Sequence, residues 1–416
     1  MRIAYLYIQK CIYTNLYMCK NVYIFVEVLK QNMTTEKIPI KIGPPVENNE
    51  FYGREKELKY AWSLLQRGMS LLLSAPRRVG KSSFSKKMLR LAEENGWKTL
   101  YLDLQGIKTE EEFIKLLKDK LQTEKWWEKL GDTTGEIFKS IDVEFAGKKV
   151  SINTDALRGD SYSKIKKLIE STGKILIVMD ELTIFLNNLL TQNNGKEKVE
   201  FFLNWLRSFR QISGTEVRWI FCSSVGIENF ASMHQLSYTL NDVHNFPIGA
   251  YSEDEAKDFI TRLDVSTSIK FKEKDIQHIL EKISWYLPFF IQILIEKINF
   301  LIYTEEKQLS VSTIDEAYDR LLAETHFNSW DDRLSAYNEF EDNARKILKL
   351  CSQGGRSRDD LFANLFANSP DTEKMATFLA KLLNMLQNDG YLVEHSGKYI
   401  FRSPLLRDFW IKRYIL

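Results

Sequence analysis

The run Ala75-Pro76-Arg77-Arg78-Val79-Gly80-Lys81-Ser82 carries the strongest chemical signal in the chain. It fits the phosphate-binding spacing G-x-x-x-x-G-K-[ST] at every position except the first, where alanine replaces glycine. The spacing has a physical cause. Consecutive backbone N–H groups curl around a β-phosphate, the next helix turns its positive end toward it, and a lysine reaches the β- and γ-phosphates. Lys81 is that lysine, Gly80 permits close backbone approach, and the Ser82 hydroxyl is an expected Mg²⁺ ligand. The expected phosphate-contacting set is Ala75, Pro76, Arg77, Arg78, Val79, Gly80, Lys81, Ser82 and the adjoining Ser83.

A second constellation follows in Ile175-Leu176-Ile177-Val178-Met179-Asp180-Glu181, an apolar run ending in two carboxylates. After a phosphate loop, an aspartate at this point holds Mg²⁺, the role expected of Asp180. The neighbouring Glu181 is placed to orient an attacking water and joins Lys81 as a catalytic candidate. The competing structural reading makes either carboxylate a cap for the next helix. Ser223, after Val217–Cys222, offers a hydroxyl toward a γ-phosphate, although small hydroxyls at strand ends also form turns. Arg207, Arg210 and Arg218 are candidates for a charge-stabilising finger toward a neighbouring subunit, and each also reads as an ordinary surface arginine.

These residues need a scaffold, and the apolar periodicity supplies one. Ser70–Leu73, Thr99–Leu104, Lys174–Met179 and Val217–Cys222 read as four buried strands separated by helical stretches, among them Lys81–Glu94. Strands alternating with helices predict an α/β fold with a parallel sheet covered on both faces. Residues 121–160 interrupt the alternation, and Val143–Phe145 and Val150–Ile152 read as a hairpin around Ala146-Gly147-Lys148-Lys149. Beyond Phe246-Pro247 the pattern is helical over Ser252–Leu263, Glu273–Ile283, Phe289–Tyr303 and Ser312–Ala323. Near the end, Glu341–Gln353, Arg358–Ala367 and Thr372–Asn388 read as three helices. Tyr391–Val393 and Lys398–Phe401 follow as a β-wing around Ser396-Gly397. The expected organisation is an extension at 1–32, a lead-in at 33–50, a phosphate-loop core at 51–245, a helical lid at 246–338 and a winged helix-turn-helix at 339–416.

Composition narrows the function classes. The 416 residues are 44% hydrophobic and 27% charged, as in multidomain globular chains, and the net charge of +2 creates no global field for nucleic acid or anionic membrane. Cys11, Cys19, Cys222 and Cys351 form no CxxC pair, which argues against zinc or disulfide scaffolds and fits a cytoplasmic location. Lys10, Lys20, Glu27 and Lys30 break residues 1–32, so no run of about 20 apolar residues survives there to span a membrane. Met33 opens a more typical start, and 1–32 reads as an extension or a mis-assigned start. Membrane is not an expected partner.

Taken together, the chain resembles the AAA+/STAND group of P-loop ATPases, and within it the archaeal and bacterial branch whose loop reads PRRVGKS/T. The residues that carry the likeness are Phe51-Tyr52-Gly53-Arg54-Glu55, Pro76–Ser82, Met179-Asp180-Glu181 and Cys222-Ser223-Ser224-Val225-Gly226. Trp285-Tyr286-Leu287-Pro288-Phe289-Phe290-Ile291-Gln292 resembles the proline-containing lid stretch that packs near adenine, which makes Pro288 a binding residue by resemblance. Gly390-Tyr391-Leu392 and Tyr399–Arg407 resemble the winged-helix end of the same relatives. The likeness covers residues 45–416. It implies a P-loop NTPase three-layer core with lid and winged helix, ATP and Mg²⁺ as cofactors, and slow hydrolysis in a nucleotide-controlled switch. Three departures weigh against fast turnover and ring assembly. Ala75 stands in the loop, no lid arginine occupies the second-sensor position, and no glycine lies two residues before Pro288.

Charge decides what the C-terminal unit is expected to meet. Residues 341–416 hold twelve Lys/Arg against nine Asp/Glu, a net of +3. The helix in the recognition position offers only Lys374 and Lys381 beside Glu373. DNA readers show a basic stripe backed by several phosphate contacts. A protein partner or self-association is therefore the favoured expectation, with an ATP-modulated DNA-binding regulator as the alternative.

Overall fold

The computed structural model describes residues 37–46, 50–123, 154–223, 226–265, 269–367 and 371–416. The expected extension at 1–32, the hairpin at 143–152, and Ser224 and Val225 lie outside the described residues. From the N-terminal side the core runs α1 (Glu55–Gln66), β1 (Ser70–Ser74), α2 (Lys81–Glu94), β2 (Lys98–Asp103), α3 (Glu110–Thr123), α4 (Thr154–Ser171) and β3 (Ile175–Asp180). It continues with α5 (Leu182–Leu190), α6 (Gly195–Arg210), β4 (Val217–Cys222), α7 (Ile227–Met233) and β5 (Val243–Pro247). The five strands are parallel in the order β2-β3-β4-β1-β5. In β1, Leu71 and Leu73 face one apolar cluster and Leu72 the other, the period-two alternation of a strand covered on both sides. β3 is buried at all six positions, which is why it reads as one uninterrupted apolar run.

β5 was not among the four expected strands. Of Val243-His244-Asn245-Phe246-Pro247 only Phe246 is buried, so the segment lacks the apolar signature of its neighbours. It lies at the sheet edge beside β1, and Pro247, which has no N–H to donate, is tolerated at its last position.

A helical layer follows, made of α8 (Glu253–Arg262), α9 (Glu273–Ile283), α10 (Pro288–Thr304) and α11 (Val311–Leu321). Ser252 caps α8 in a reciprocal box with Glu255, and Pro288 starts α10, where its missing N–H has no intrahelical partner to lose. The lead-in docks here. Ile38 N donates to Arg262 O at 2.8 Å, and Ile38 O accepts from Asp264 N at 2.8 Å.

The chain then passes through α12 (Asn328–Asp332) and a 3₁₀ segment (Arg333–Phe340) into α13 (Glu341–Ser352), β6 (Arg356–Ser357), α14 (Arg358–Phe366) and α15 (Thr372–Asn388). It closes with β7 (Leu392–His395), β8 (Lys398–Phe401) and α16 (Pro404–Tyr414). β6, β8 and β7 form a small antiparallel sheet. β6 and α16 are additions to the expected elements. One apolar cluster runs from β1 through the helical layer to α16. Ring contacts carry it across: Trp285–Trp330 at 6.3 Å, Trp330–Tyr391 at 5.3 Å and Phe327–Phe409 at 5.5 Å between centroids.

Candidate functional site

The loop Ala75–Gly80 leaves the C-terminal end of β1 and opens α2. Gly80 has φ 97°, a left-handed conformation that favours glycine, and among the described residues no atom beyond its own chain neighbours lies within 4 Å of where its Cβ would stand. Backbone conformation, with open space in front of it, thus requires this glycine, and protein crowding does not. Arg78 also sits at positive φ (67°), so two residues of the loop turn the chain back on itself. Lys81, at the first position of α2, is buried, and its Nζ donates to Ala75 O at 2.6 Å and Pro76 O at 2.9 Å. Burial pushes its amine down to about 8, and the charge of Arg333 adds to the fall, while Glu181 opposes it.

Asp180 ends β3 and is buried, with Oδ2 accepting from the Tyr101 hydroxyl at 2.6 Å and Oδ1 from the Glu181 N–H at 3.0 Å. Burial and the Asp180 carboxylate push the Tyr101 phenol up, so it stays a hydrogen-bond donor. Glu181 has φ 56°, and this left-handed turn separates β3 from α5. The strand order puts β4 between β1 and β3, so the loop and the carboxylates share the crevice beyond the carboxyl ends of the strands.

A cavity of about 320 Å³ joins them. Of the expected residues, Arg77, Arg78, Val79, Gly80, Lys81, Ser82, Ser83, Asp180, Glu181 and Pro288 line it. Ala75 and Pro76 stand behind it and contribute their carbonyls to Lys81. Ser223 is not brought into the cavity; it is buried, and its Oγ accepts from Thr183 N at 3.3 Å. The Ser83 Oγ accepts from Val46 N at 3.1 Å, which ties the lead-in to α2. On the far wall Arg78 lies over the Phe289 ring at 4.4 Å, next to Pro288 and Gln292. Gln292 Oε1 accepts from Lys41 N at 2.8 Å.

Four contributors were not singled out from sequence. Tyr101 orients Asp180, and Asp103 and Gln105 line the cavity beside it. Arg54, quoted only as part of a resembling run, is buried at φ 67°, and its Nη2 donates to Val79 O at 3.1 Å and Gly249 O at 2.8 Å. It therefore clamps the phosphate loop to the segment leading into α8. The Phe51–Glu55 run was the available signal, since a buried arginine at a left-handed position needs a fixed set of acceptors. The three finger candidates are occupied within their own chain. Arg210 meets Asp242 at 2.9 Å and 3.0 Å, Arg218 donates to Leu65 O at 3.1 Å, and Arg207 reaches Asn241 Oδ1 at 3.5 Å.

The donor set suits a nucleotide with a hard cation. Ser82 and Asp180 offer oxygen ligands of the kind Mg²⁺ takes, and Arg77, Arg78 and Lys81 face them with positive charge. Comparison with known proteins agrees at the level of fold. Residues 55–237 match the family model described as Predicted AAA-ATPase. A Walker-type ATPase of Pyrococcus abyssi is similar in structure with TM-score 0.58 at 18% identity, over 89% of this chain and 99% of that one. The ORC2 protein of Aeropyrum pernix, solved in ADPNP–ADP complexes, gives TM-score 0.52 at 12% identity, over 89% and 94% respectively. No curated protein matches the chain. The fold is that of the P-loop ATPase class. Among the described residues, no helix is long and apolar enough to cross a membrane.

Proposed function

We propose that this chain binds ATP with Mg²⁺ in the cavity and hydrolyses it slowly, as a nucleotide-controlled switch. One observation carries the reading: Lys81, Ser82, Asp180 and Glu181 line a single cavity at the N-terminal end of α2. In this reading the loop N–H groups and Lys81 bind the phosphates, and Ser82 and Asp180 hold Mg²⁺, which would neutralise phosphate charge. Glu181 accepts a proton from the attacking water, and Pro288 and Phe289 flank the base. The division into a core at 51–245, a lid at 246–338 and a winged helix at 339–416 belongs to the same proposal. Support for a switch comes from contacts of the loop with the lid and with the C-terminal unit. Arg77 Nη1 donates to Ser329 O at 3.5 Å, and Gly390 abuts Pro76.

Calorimetry with ATP in Mg²⁺ tests the reading. Wild type binds, Lys81→Ala binds at least tenfold more weakly, and Glu181→Gln retains ATP without releasing phosphate. Equal ATP affinity in Lys81→Ala sinks it. The DNA-binding alternative has less support, because α15 offers only Lys374 and Lys381 as cations, beside Glu373. Phe378 stacks on Phe340 at 4.3 Å, Lys381 Nζ lies 5.4 Å over that same ring, and Asn388 bonds Asn229. A protein partner or a second copy is the favoured occupant of the C-terminal unit. Chromatography of Glu181→Gln with ATP or ADP would report it, and a plasmid shift at low salt would reverse the preference.

A further inference from the structure

Gln292 is one of the residues that line the cavity, and only 7% of it is exposed. It follows Phe289 by three residues and Pro288 by four, which puts all three on one side of α10. From Pro288 to Ile295 it is the one polar side chain of that helix. Its Oε1 accepts from Lys41 N at 2.8 Å. A backbone N–H only donates, so this contact fixes which end of the amide is oxygen. The NH₂ end is left over. It can donate twice, and among the described residues it has no hydrogen-bond partner.

The other polar side chains that the lead-in and lid bring to this end of the cavity are engaged within the chain. Lys41 Nζ donates to Glu50 Oε2 at 2.6 Å, the Tyr52 hydroxyl to Asp258 Oδ2 at 2.6 Å and the Tyr251 hydroxyl to Tyr52 O at 3.2 Å. Around them the lining is apolar, with Pro44, Pro45, Val46, Phe51, Pro288 and Phe289. A slot with apolar walls and one unused donor suits a flat heterocycle that turns a lone pair toward that donor. Adenine does so at N1, N3 and N7. Guanine carries protons on N1 and on its 2-amino group, and the Glu50 carboxylate that would accept from them is held by Lys41. A guanine donor buried against the Gln292 NH₂ stays unpaired, at a cost in affinity.

We propose that Gln292 selects the base: its NH₂ donates to a ring nitrogen of adenine, and the Lys41 N–H holds the amide in that sense. The inference rests on the ATP reading above and deepens it, by naming the group that sets adenine apart from guanine.

Calorimetry in Mg²⁺ tests it, with ATP, GTP, tripolyphosphate and the 1-, 3- and 7-deaza analogues of ATP, on wild type and Gln292→Glu. Each analogue replaces one ring nitrogen by C–H. Glutamate keeps an acceptor for Lys41 N and loses the donor. Gln292→Met, uncharged and of similar length, takes its place if the carboxylate unfolds the chain. Wild type is expected to bind ATP about tenfold or more tightly than GTP, and to lose about threefold to tenfold with one analogue. In the variant the analogue loss disappears, and ATP weakens more than tripolyphosphate, which has no base. GTP bound as tightly as ATP, no analogue loss in wild type, a loss that persists in the variant, or equal weakening of ATP and tripolyphosphate would each leave Gln292 as a structural tie and overturn the proposal. A wild type that binds neither ATP nor tripolyphosphate would overturn the ATP reading instead.

Discussion

The hydroxyl of Tyr101 donates to Asp180 Oδ2 at 2.6 Å, across the parallel pair in which Tyr101 lies opposite Val178 and Asp103 opposite Asp180. One carboxylate oxygen is thus fixed from β2 while the other receives the Glu181 N–H. A carboxylate held at both oxygens keeps one orientation toward the cavity.

Tyr101→Phe removes that hold while keeping the ring. If Asp180 carries Mg²⁺, the substitution weakens Mg²⁺ dependence about tenfold to a hundredfold, the usual effect of losing a partner behind a metal ligand. Titrating Mg²⁺ at fixed ATP measures it, with nucleotide binding in EDTA as the control. An unchanged Mg²⁺ midpoint would remove Asp180 from the metal.

Lys81 gives a pH dependence with a definite sign. Its amine sits at about 8 because burial disfavours the ammonium form. A bound phosphate favours the ammonium, so binding takes up a proton near pH 8, and affinity falls about tenfold per unit above it. Calorimetry in two buffers of different ionisation enthalpy reads the uptake directly; affinity flat from about pH 7 to 9 would contradict it. In the free protein the sign is opposite. The unfolded chain holds more protons between about 8 and the ordinary lysine value, so stability rises with pH through that window.

Gly390 is the third test. It has φ 85°, and a Cβ there would stand 2.6 Å from Trp285 Cη2 and 2.8 Å from Pro76 Cβ. Gly390→Ala therefore costs about 2–4 kcal/mol from backbone strain and overlap together. The expected outcome is a lower Tm with faster proteolysis between the lid and the C-terminal unit. An unchanged melting curve would show that the turn accommodates the methyl by shifting.

The strand, loop and helix around Ala75–Ser82 were legible because their pattern is contiguous: an apolar strand, a glycine-bearing loop and a lysine at the start of a helix. The carboxylate pair was legible for the same reason, as the end of a fully buried strand. Tyr101 and Arg54 were not, because each works through partners far along the chain. Tyr101 meets Asp180 at a separation of 79 residues, and Arg54 meets Gly249 at 195. No local period marks such pairs. β5 escaped for a different reason: an edge strand with one buried side chain has no apolar pattern to read. Ser223 shows the converse limit, since its hydroxyl at the end of β4 accepts from the backbone of α5, the helix that follows the neighbouring strand β3.

Lys41 N and Gln292 Oε1 meet at 2.8 Å across a separation of 251 residues, and Ile38 is pinned to the end of α8. The cavity is in effect an arch, with one springer in the lead-in, one in the lid and the phosphate loop at its crown. A guest seated beneath it is a keystone that locks distant stretches of chain against each other. At a hundred times its Kd such a guest adds about 2.7 kcal/mol to the whole arch at once. Melting in the presence of ligand would then shift as one transition, with no part of the arch left behind.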